Sequence, residues 1–307
     1  MDTKRHVAHP RLAFLVLVSG GVVIGFSAIC VKLSPVGPVA TAFYRLALAL
    51  PVLWAVMTIE GEGRAGGRDS GLPKGGRWLL VVPGLCFGCD ITVWHYAIRY
   101  TTVANATLLG NLCPVFVTLA AWYYFKEHVS GLFLAGLALA LGGTALLMSH
   151  SLQLGAGHLL GDLLSVVSAL FYGGYQLAIN RLRRYFSTAT LMTYTCAAGL
   201  APVLIMMLLT RESLLWGGPA FLQGLLTLLI LALVCHTCGQ GMVVYGMKQL
   251  PASFGSVTLL VQPVVAAVAG WLILSQILGA VELLGGLVVL VGIFLARQGS
   301  LNVPEST

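Results

Sequence analysis

Apolar residues along the chain fall into long blocks that are separated by short polar segments. Most blocks are about 20 residues long, which is the length that an α-helix needs to cross the roughly 30 Å hydrocarbon core of a bilayer. The eighth block is longer, which predicts a tilted helix or a flanking turn. The blocks predict ten transmembrane helices, at 12–33, 38–59, 78–99, 102–125, 131–149, 160–180, 190–210, 221–247, 252–274 and 278–297. The expected fold is therefore an all-α polytopic membrane protein.

Composition supports this pattern, since 58% of the 307 residues are hydrophobic and only 9% are charged. Soluble domains carry about 25% charged residues. Thirteen of the 17 Lys and Arg residues fall on one side of the predicted bilayer, Lys32, Arg99 and Arg211 on the other, and Arg45 within a span. Positive charge marks the cytoplasmic side, so both termini are expected in the cytoplasm. The net charge of +7 reflects this bias and does not indicate a nucleic-acid partner.

The first block is too long for a signal-peptide core and is followed directly by a second span, so we expect it to be retained. The chain is then a multi-pass protein of the plasma membrane, which in bacteria is the inner membrane.

An internal repeat appears when each residue is placed beside the residue 149 positions later. The matched positions include Pro114 with Pro263, Trp122 with Trp271, Gly136 with Gly285, and Gly143 with Gly292. Paired Pro, Trp and Gly are harder to obtain by chance than paired aliphatic residues. Five spans per copy is an odd number, so the second copy is inserted upside down, as in many secondary transporters. We expect one repeat at 10–149, a connection at 150–157 and a second repeat at 158–298.

Both halves contain short motifs around the prolines, glycines and charged residues of the spans. Their residues are Gly25, Lys32, Pro38, Arg45, Tyr96, Ala97, Ile98, Ala104, Ala106, Pro114, Phe125, Lys126, Glu127, Gly136, Gly161, Asp162, Pro263, Trp271 and Gly285. With these motifs the chain resembles the drug/metabolite transporter superfamily, in its ten-helix EamA-type branch. It departs from the pattern at Ile24, where that family often has tryptophan, and at Gln276, where it often has glutamate.

The resemblance implies a central cavity lined by helices one, three, four, six, eight and nine, with helices five and ten at the periphery. Similar members export amino acids, particularly aromatic ones, and related metabolites. Small multidrug exporters of the same superfamily exchange protons for cationic drugs through an acid in the first helix. The first span here has no Asp or Glu, so that exchange is not expected.

Two CxxC pairs, Cys86 with Cys89 and Cys235 with Cys238, raise the question of a metal site. The two pairs occupy equivalent positions in the two repeats, and all seven cysteines lie in predicted spans. There, cysteine behaves as a small hydrophobic residue, so we expect packing, with no metal and no cofactor.

Asp90 lies near the middle of the third span, where a charge is costly and usually faces a cavity or a partner. Trp94 follows one turn later on the same face, whereas His95 points about 140° away from Asp90 on an α-helix. Two roles fit Asp90: it faces a solute cavity, or it is protonated and hydrogen-bonded to a neighbouring helix. We predict Asp90, Trp94 and His95 as solute-site candidates.

Polar and aromatic residues on other cavity helices complete the candidate site. Two amides, Asn111 and Gln262, lie beside the mid-span prolines, where they either cap the freed backbone or bind solute. The remaining candidates are Tyr172, Tyr175, Gln176, His236 and Gln240.

An aromatic and amide lining with one acid suits a neutral or zwitterionic solute with an apolar side chain. The expected function is secondary transport, by export of amino acids or similar metabolites. A nucleotide-sugar or sugar-phosphate carrier is the alternative, although it needs more intramembrane cations than Arg45. A membrane enzyme using Asp90 and His95 is a further alternative, but no nucleophile motif supports it. We expect a monomeric carrier, with proton coupling through Asp90 or His95 and facilitated diffusion both left open.

Overall fold

The structure, a computed structural model, describes residues 10–61, 76–149, 158–214, 217, 221–247, 250–275 and 279–301. Within these ranges all regular secondary structure is helical. Nine of the described spans have 20 to 26 residues and are apolar enough to cross a bilayer, whereas the fifth has 17, the lower limit for crossing. The spans, in order, are Arg11–Lys32, Pro38–Ile59, Trp78–Ala97, Asn105–Phe125, Gly131–Leu147, Leu159–Leu182, Thr188–Thr210, Phe221–Gly246, Ala252–Leu274 and Ala280–Leu301.

The predicted fold of ten helices in two inverted five-helix repeats is confirmed. The predicted connection at 150–157 and Gln276 lie outside the described residues.

The fourth and ninth spans are broken at the same place in each repeat. Pro114 and Pro263 cause the breaks, because proline has no N–H to donate and its ring collides with the preceding turn. Each second segment ends at a left-handed residue, Lys126 (φ 55°) in one repeat and Ser275 (φ 53°) in the other, and these two are again 149 positions apart. The segments are Val103–Gly110 and Cys113–Phe125 in the fourth span, and Ala252–Thr258 and Val261–Leu274 in the ninth.

The eighth span contains a π-helix, which the length of its apolar block does not reveal. The α-helix Phe221–Leu229 passes into the π-helical segment Ile230–Gln240 and then returns to α-helix. Thr237 Oγ1 donates to Ala232 O (2.9 Å), five residues earlier. The wider turns of the π-helix take up the extra residues, which accounts for the length of the block. Such segments are rare and often lie at functional sites.

The fifth and tenth spans pack against each other through glycines that occupy equivalent positions in the two repeats. A Cβ atom at Gly143 would lie 2.8 Å from Gly285 O, and one at Gly136 would lie 2.6 Å from Gly292 O. Gly285 and Gly292 are the repeat equivalents of Gly136 and Gly143. Exchanging the two repeats therefore converts one of these contacts into the other. This reciprocity is what a two-fold relation between the repeats requires, and it allows the helix backbones to approach closely.

Acidic side chains connect the spans at both ends of the bundle. At one end, Glu212 accepts a hydrogen bond from Val39 N (2.9 Å) at the start of the second span and pairs with Arg99 Nη2 (2.8 Å). At the opposite end, Glu127 accepts from Ala252 N (2.9 Å) at the start of the ninth span. Both carboxylates therefore meet the positive N-terminus of a helix, where an anion is stabilising.

Candidate solute-binding site

A small cavity lies between the fourth, sixth and ninth spans. It offers about 30 Å³ to the centres of water molecules, which is room for about one or two waters. The cavity must therefore widen to admit a metabolite. Its lining consists of Gly110, Asn111, Cys113, Pro114, Tyr172, Gln176, Ser256, Leu259, Leu260 and Gln262.

The two helix breaks supply most of this lining, and the sixth span supplies the rest. Tyr172 and Gln176 are one turn apart on the sixth span and face the breaks of the other two. Asn111 lies in the break of the fourth span, and Gln262 is the second residue of the helical segment that follows the break of the ninth. In the described part of the chain, neither amide side chain hydrogen-bonds to a backbone carbonyl. The arrangement favours a solute-facing role for these two amides over a capping role, and that role stays a prediction.

Two buried polar atoms of the cavity lining have no hydrogen-bond partner among the described residues. Gln176 uses Nε2 to donate to Cys113 Sγ (3.2 Å), which leaves its Oε1 unpaired. Gln262 Nε2 also has no acceptor at hydrogen-bonding distance, although its side chain lies near the Tyr172 hydroxyl. Buried polar groups are nearly always paired, so an unpaired acceptor and an unpaired donor on one cavity need an explanation. A bound solute or water that offers a donor and an acceptor would satisfy both.

A layer of aromatic rings begins at Tyr172 and leads from the cavity into the centre of the bundle. Tyr172 stacks on Tyr175, with ring centroids 5.8 Å apart. Tyr175 contacts Phe87 at 5.0 Å, and Phe87 contacts His236 at 5.5 Å. Phe87 and His236 are repeat equivalents, so their contact lies on the two-fold axis that relates the repeats. We call these four residues the aromatic layer.

His236 and Gln240 of the π-helix are fully buried and bind different neighbours. His236 Nε2 lies 3.2 Å from Cys196 Sγ of the seventh span, and its Nδ1 is unpaired among the described residues. Gln240 Nε2 donates to Tyr175 Oη (3.0 Å) of the sixth span. The structure therefore places His236 in the aromatic layer and Gln240 beside it, and neither residue lines the small cavity.

Asp90 and Trp94 lie close to the cavity without lining it. Asp90 Oδ1 accepts a hydrogen bond from Ser168 Oγ (2.6 Å), and Ser168 is one turn before Tyr172 on the sixth span. Trp94 Nε1 donates to Ala106 O (3.3 Å) on the fourth span. The structure thus shows the hydrogen bond to a neighbouring helix that was one of the two roles considered for Asp90.

His95 makes no hydrogen bond with Asp90, and its ring lies edge-on against the Trp94 ring, with centroids 5.2 Å apart. Its Nδ1 contacts Ile91 O on the same helix, and its Nε2 is buried without a partner among the described residues. The third span therefore does not bring Asp90 and His95 together as an acid and a base.

Sequence reasoning missed six residues of the cavity lining and Phe87 of the aromatic layer, although the repeat could have indicated two of these seven. Cys113, a lining residue, is the repeat equivalent of Gln262, and Phe87 is the equivalent of His236. Ser256 also lines the cavity, and no sequence signal points to it. Comparison of the two copies is thus a better guide to the site than residue type alone.

The cysteines of the two CxxC pairs lie on packed helices, with Cys235 buried beside Cys30. In the part of the chain that the structure describes, no three His, Cys, Asp or Glu side chains form a group that could hold a metal ion.

Comparison with known proteins identifies relatives over nearly the whole length. The model of the EamA-like transporter family matches residues 11–149 and again 159–298. An uncharacterized transporter of Archaeoglobus fulgidus is 25% identical, over 96% of this chain and 98% of that protein. The pseudopaline exporter CntI of Pseudomonas aeruginosa is 23% identical, over 81% of this chain and 82% of that protein. A solved crystal structure superposes with a TM-score of 0.79 at 17% identity, over 96% of this chain and 100% of that chain, and shows the fold alone.

Proposed function

The chain belongs to the EamA-like transporter family and is a multi-pass membrane transporter, and on that premise we propose that it exports amino acids by alternating access between its two repeats. The solutes are aromatic or other apolar amino acids and similar small metabolites. The proposal rests on two buried atoms of the cavity lining that have no hydrogen-bond partner among the described residues, the acceptor Gln176 Oε1 and the donor Gln262 Nε2. An uncharged acceptor and an uncharged donor suit a small polar solute that has both kinds of group.

The aromatic layer supports an apolar side chain on the solute. Tyr172 belongs both to this layer and to the cavity lining. Tyrosine offers a flat apolar surface together with a polar hydroxyl, so a solute leaving the amides meets a surface that suits an aromatic or aliphatic group.

A nucleotide-sugar or sugar-phosphate carrier is the second candidate. A phosphate group is usually bound by arginine or lysine side chains, and the cavity lining contains neither. Export as the direction is supported by the relative that is named an exporter. A monomeric carrier is supported by the glycines of the fifth and tenth spans, because they pack these two helices against each other within one chain.

Membrane placement follows the same reasoning. The excess of Lys and Arg on one side supports cytoplasmic termini in a plasma membrane. An enzymatic role is disfavoured because Asp90 and His95 do not converge, and Asp90 bonds Ser168.

Alternating access requires the two ends of the bundle to open in turn around the helix breaks. Glu212 and Glu127 each hold the start of a span at one end. Opening an end must separate spans that such carboxylates connect, and inverted repeats allow the same motion to serve both ends.

The test is counterflow in proteoliposomes with labelled amino acids and sugar phosphates. We expect saturable amino-acid flux that falls about tenfold or more in Gln176→Leu and Gln262→Leu, because loss of a buried hydrogen-bond partner costs about 1–3 kcal/mol. Gln223→Leu is the matched control, since Gln223 is an exposed glutamine of the eighth span. Flux confined to phosphorylated solutes, or unchanged flux in both cavity variants, would contradict the proposal.

A further inference from the structure

Arg45 is an arginine inside the second span that has no ionic partner among the described residues. Its Cζ lies 5.7 Å from the centroid of the Phe87 ring, within the range of a cation–π contact. Its Nε is buried and unpaired, and no described carboxylate lies within ion-pairing distance of it. The sequence suggested a structural residue whose charged end reaches the membrane surface. The structure instead places that end on the aromatic layer.

Asp90 is the matching intramembrane acid, and it too lacks an ion pair among the described residues. It is three residues after Phe87, so the two side chains lie on the same face of the third span about one turn apart. Arg45 is close enough to act on Asp90 electrostatically. Each charged group nevertheless contacts an uncharged neighbour. Arg45 lies over the Phe87 ring, and Asp90 accepts a hydrogen bond from Ser168.

Two opposite charges inside a membrane normally pair with each other or serve the transported species. Here Arg45 contacts Phe87, and Asp90 is three residues further along the third span, a rise of about 4.5 Å. The two charges do not form an ion pair with each other. An α-amino acid carries its ammonium and its carboxylate on one carbon atom, so a single molecule presents an opposite charge to each of these two groups.

We propose that Arg45 and Asp90 form a site for a zwitterion, in which Arg45 binds the carboxylate of the solute and Asp90 its ammonium. The inference rests on the proposed amino-acid transport and names the residues that select the charged ends. The apolar side chain then lies on the aromatic layer, and the solute meets these two charges and the amides of the small cavity at different points of its path. A phosphorylated solute would be repelled by Asp90, and a cationic drug by Arg45, whereas a zwitterion offsets both charges.

The test compares three competitors of labelled phenylalanine counterflow in proteoliposomes. Unlabelled phenylalanine has both charges, phenylalanine amide lacks the carboxylate, and N-acetylphenylalanine lacks the ammonium. In the unaltered protein we expect phenylalanine to compete about tenfold or more better than either analogue. Arg45→Gln should abolish its advantage over the amide, and Asp90→Asn its advantage over the N-acetyl compound. Arg181→Gln, which removes an exposed arginine at the end of the sixth span, should leave both advantages unchanged.

Several outcomes overturn the inference while leaving amino-acid transport intact. One is that both variants lose all three competitors equally, and another is that neither changes its selectivity. A third is a double variant, Arg45→Gln with Asp90→Asn, that regains the selectivity of the unaltered protein, because the two charges would then serve each other. If the unaltered protein carries no amino acid, the proposed function itself fails.

Two further measurements test the inference if the Arg45→Gln protein folds poorly. Arg45→Lys keeps the charge and should keep the preference for phenylalanine over its amide, at lower affinity. In the unaltered protein, phenylalanine should raise the melting temperature more than either analogue does. Equal shifts for the three compounds would contradict the inference.

Discussion

Two regions of the molecule differ in how well they preserve the symmetry of the repeats. One is the contact between the fifth and tenth spans, and the other is the centre formed by the third and eighth spans. At the first, both copies present the same residues, Gly143 opposite Gly285 in one half and Gly292 opposite Gly136 in the other. At the second, equivalent positions carry Phe87 and His236, which touch each other. The scaffold keeps its two-fold relation, and the centre departs from it.

Helix contacts beside the centre show the same departure. Where Asp90 bonds Ser168 between the third and sixth spans, the equivalent position on the eighth span is Gly239. A Cβ atom at Gly20 of the first span would lie 2.8 Å from Gly239 O, so a close backbone approach replaces the hydrogen bond. An amino acid has unlike ends, and a site with identical halves would offer each end the same groups. Under the proposed amino-acid transport, we therefore expect the residues that differ between the copies to be those that contact the solute.

The largest effect is expected when the symmetric contact is broken. Gly143→Val places side-chain atoms against the backbone of the tenth span, because even a Cβ would lie 2.6 Å from Val289 N. Overpacking against backbone costs about 1–3 kcal/mol or more, so we expect loss of most monodisperse protein in detergent size-exclusion chromatography. Gly142→Val is the control at the next residue, where a Cβ meets nothing within 4 Å. Equal yields for the two variants would show that this contact does not hold the fold.

A smaller effect is expected when the centre is made symmetric. His236→Phe gives the eighth span the residue of its repeat equivalent, and it removes a buried nitrogen that has no partner among the described residues. Such a nitrogen is costly to bury, so the melting temperature should stay or rise, while transport should fall about tenfold, equivalent to about 1.4 kcal/mol. Undiminished transport would assign His236 to packing alone.

The smallest effect is expected from removing one hydroxyl in each repeat. Ser168→Ala deletes the hydrogen bond to Asp90, and inter-helical hydrogen bonds in membranes contribute about 0.6 kcal/mol on average and up to about 1.7. Its repeat equivalent, Ser19, is exposed, so Ser19→Ala should shift stability by less than about 0.5 kcal/mol. Thermal unfolding of both variants measures the difference, and equal shifts would remove the distinction between the two contacts.

Much of the fold could be predicted because its signals are local. Blocks of apolar residues set the spans, and Pro114 and Pro263 set the helix breaks through the chemistry of the proline ring. Helical geometry also predicts that His95 points away from Asp90, and the two make no hydrogen bond with each other. The π-helix could not be predicted in this way, since nothing in the apolar pattern distinguishes it from an α-helix.

The site was less accessible to sequence reasoning, because it depends on which helices meet. His236 and Gln240 are four residues apart and would share one face of an α-helix, yet in the π-helix they contact the seventh and sixth spans respectively. Arg45 lies about two turns inside its predicted span, from which its side chain could reach the interface, so the sequence favoured a structural role. Its position over Phe87 follows from the packing of the second span on the third.

The contact between Phe87 and His236 has a consequence for how such a protein can be encoded. Two identical chains related by a two-fold axis bring each axial residue against its own copy, so phenylalanine would meet phenylalanine and histidine would meet histidine. A mixed pair at that position is open only to unlike subunits or to a single gene that joins both halves. Fusion of the halves therefore does more than hold them together, because it lets mutation act on one half of the axis at a time.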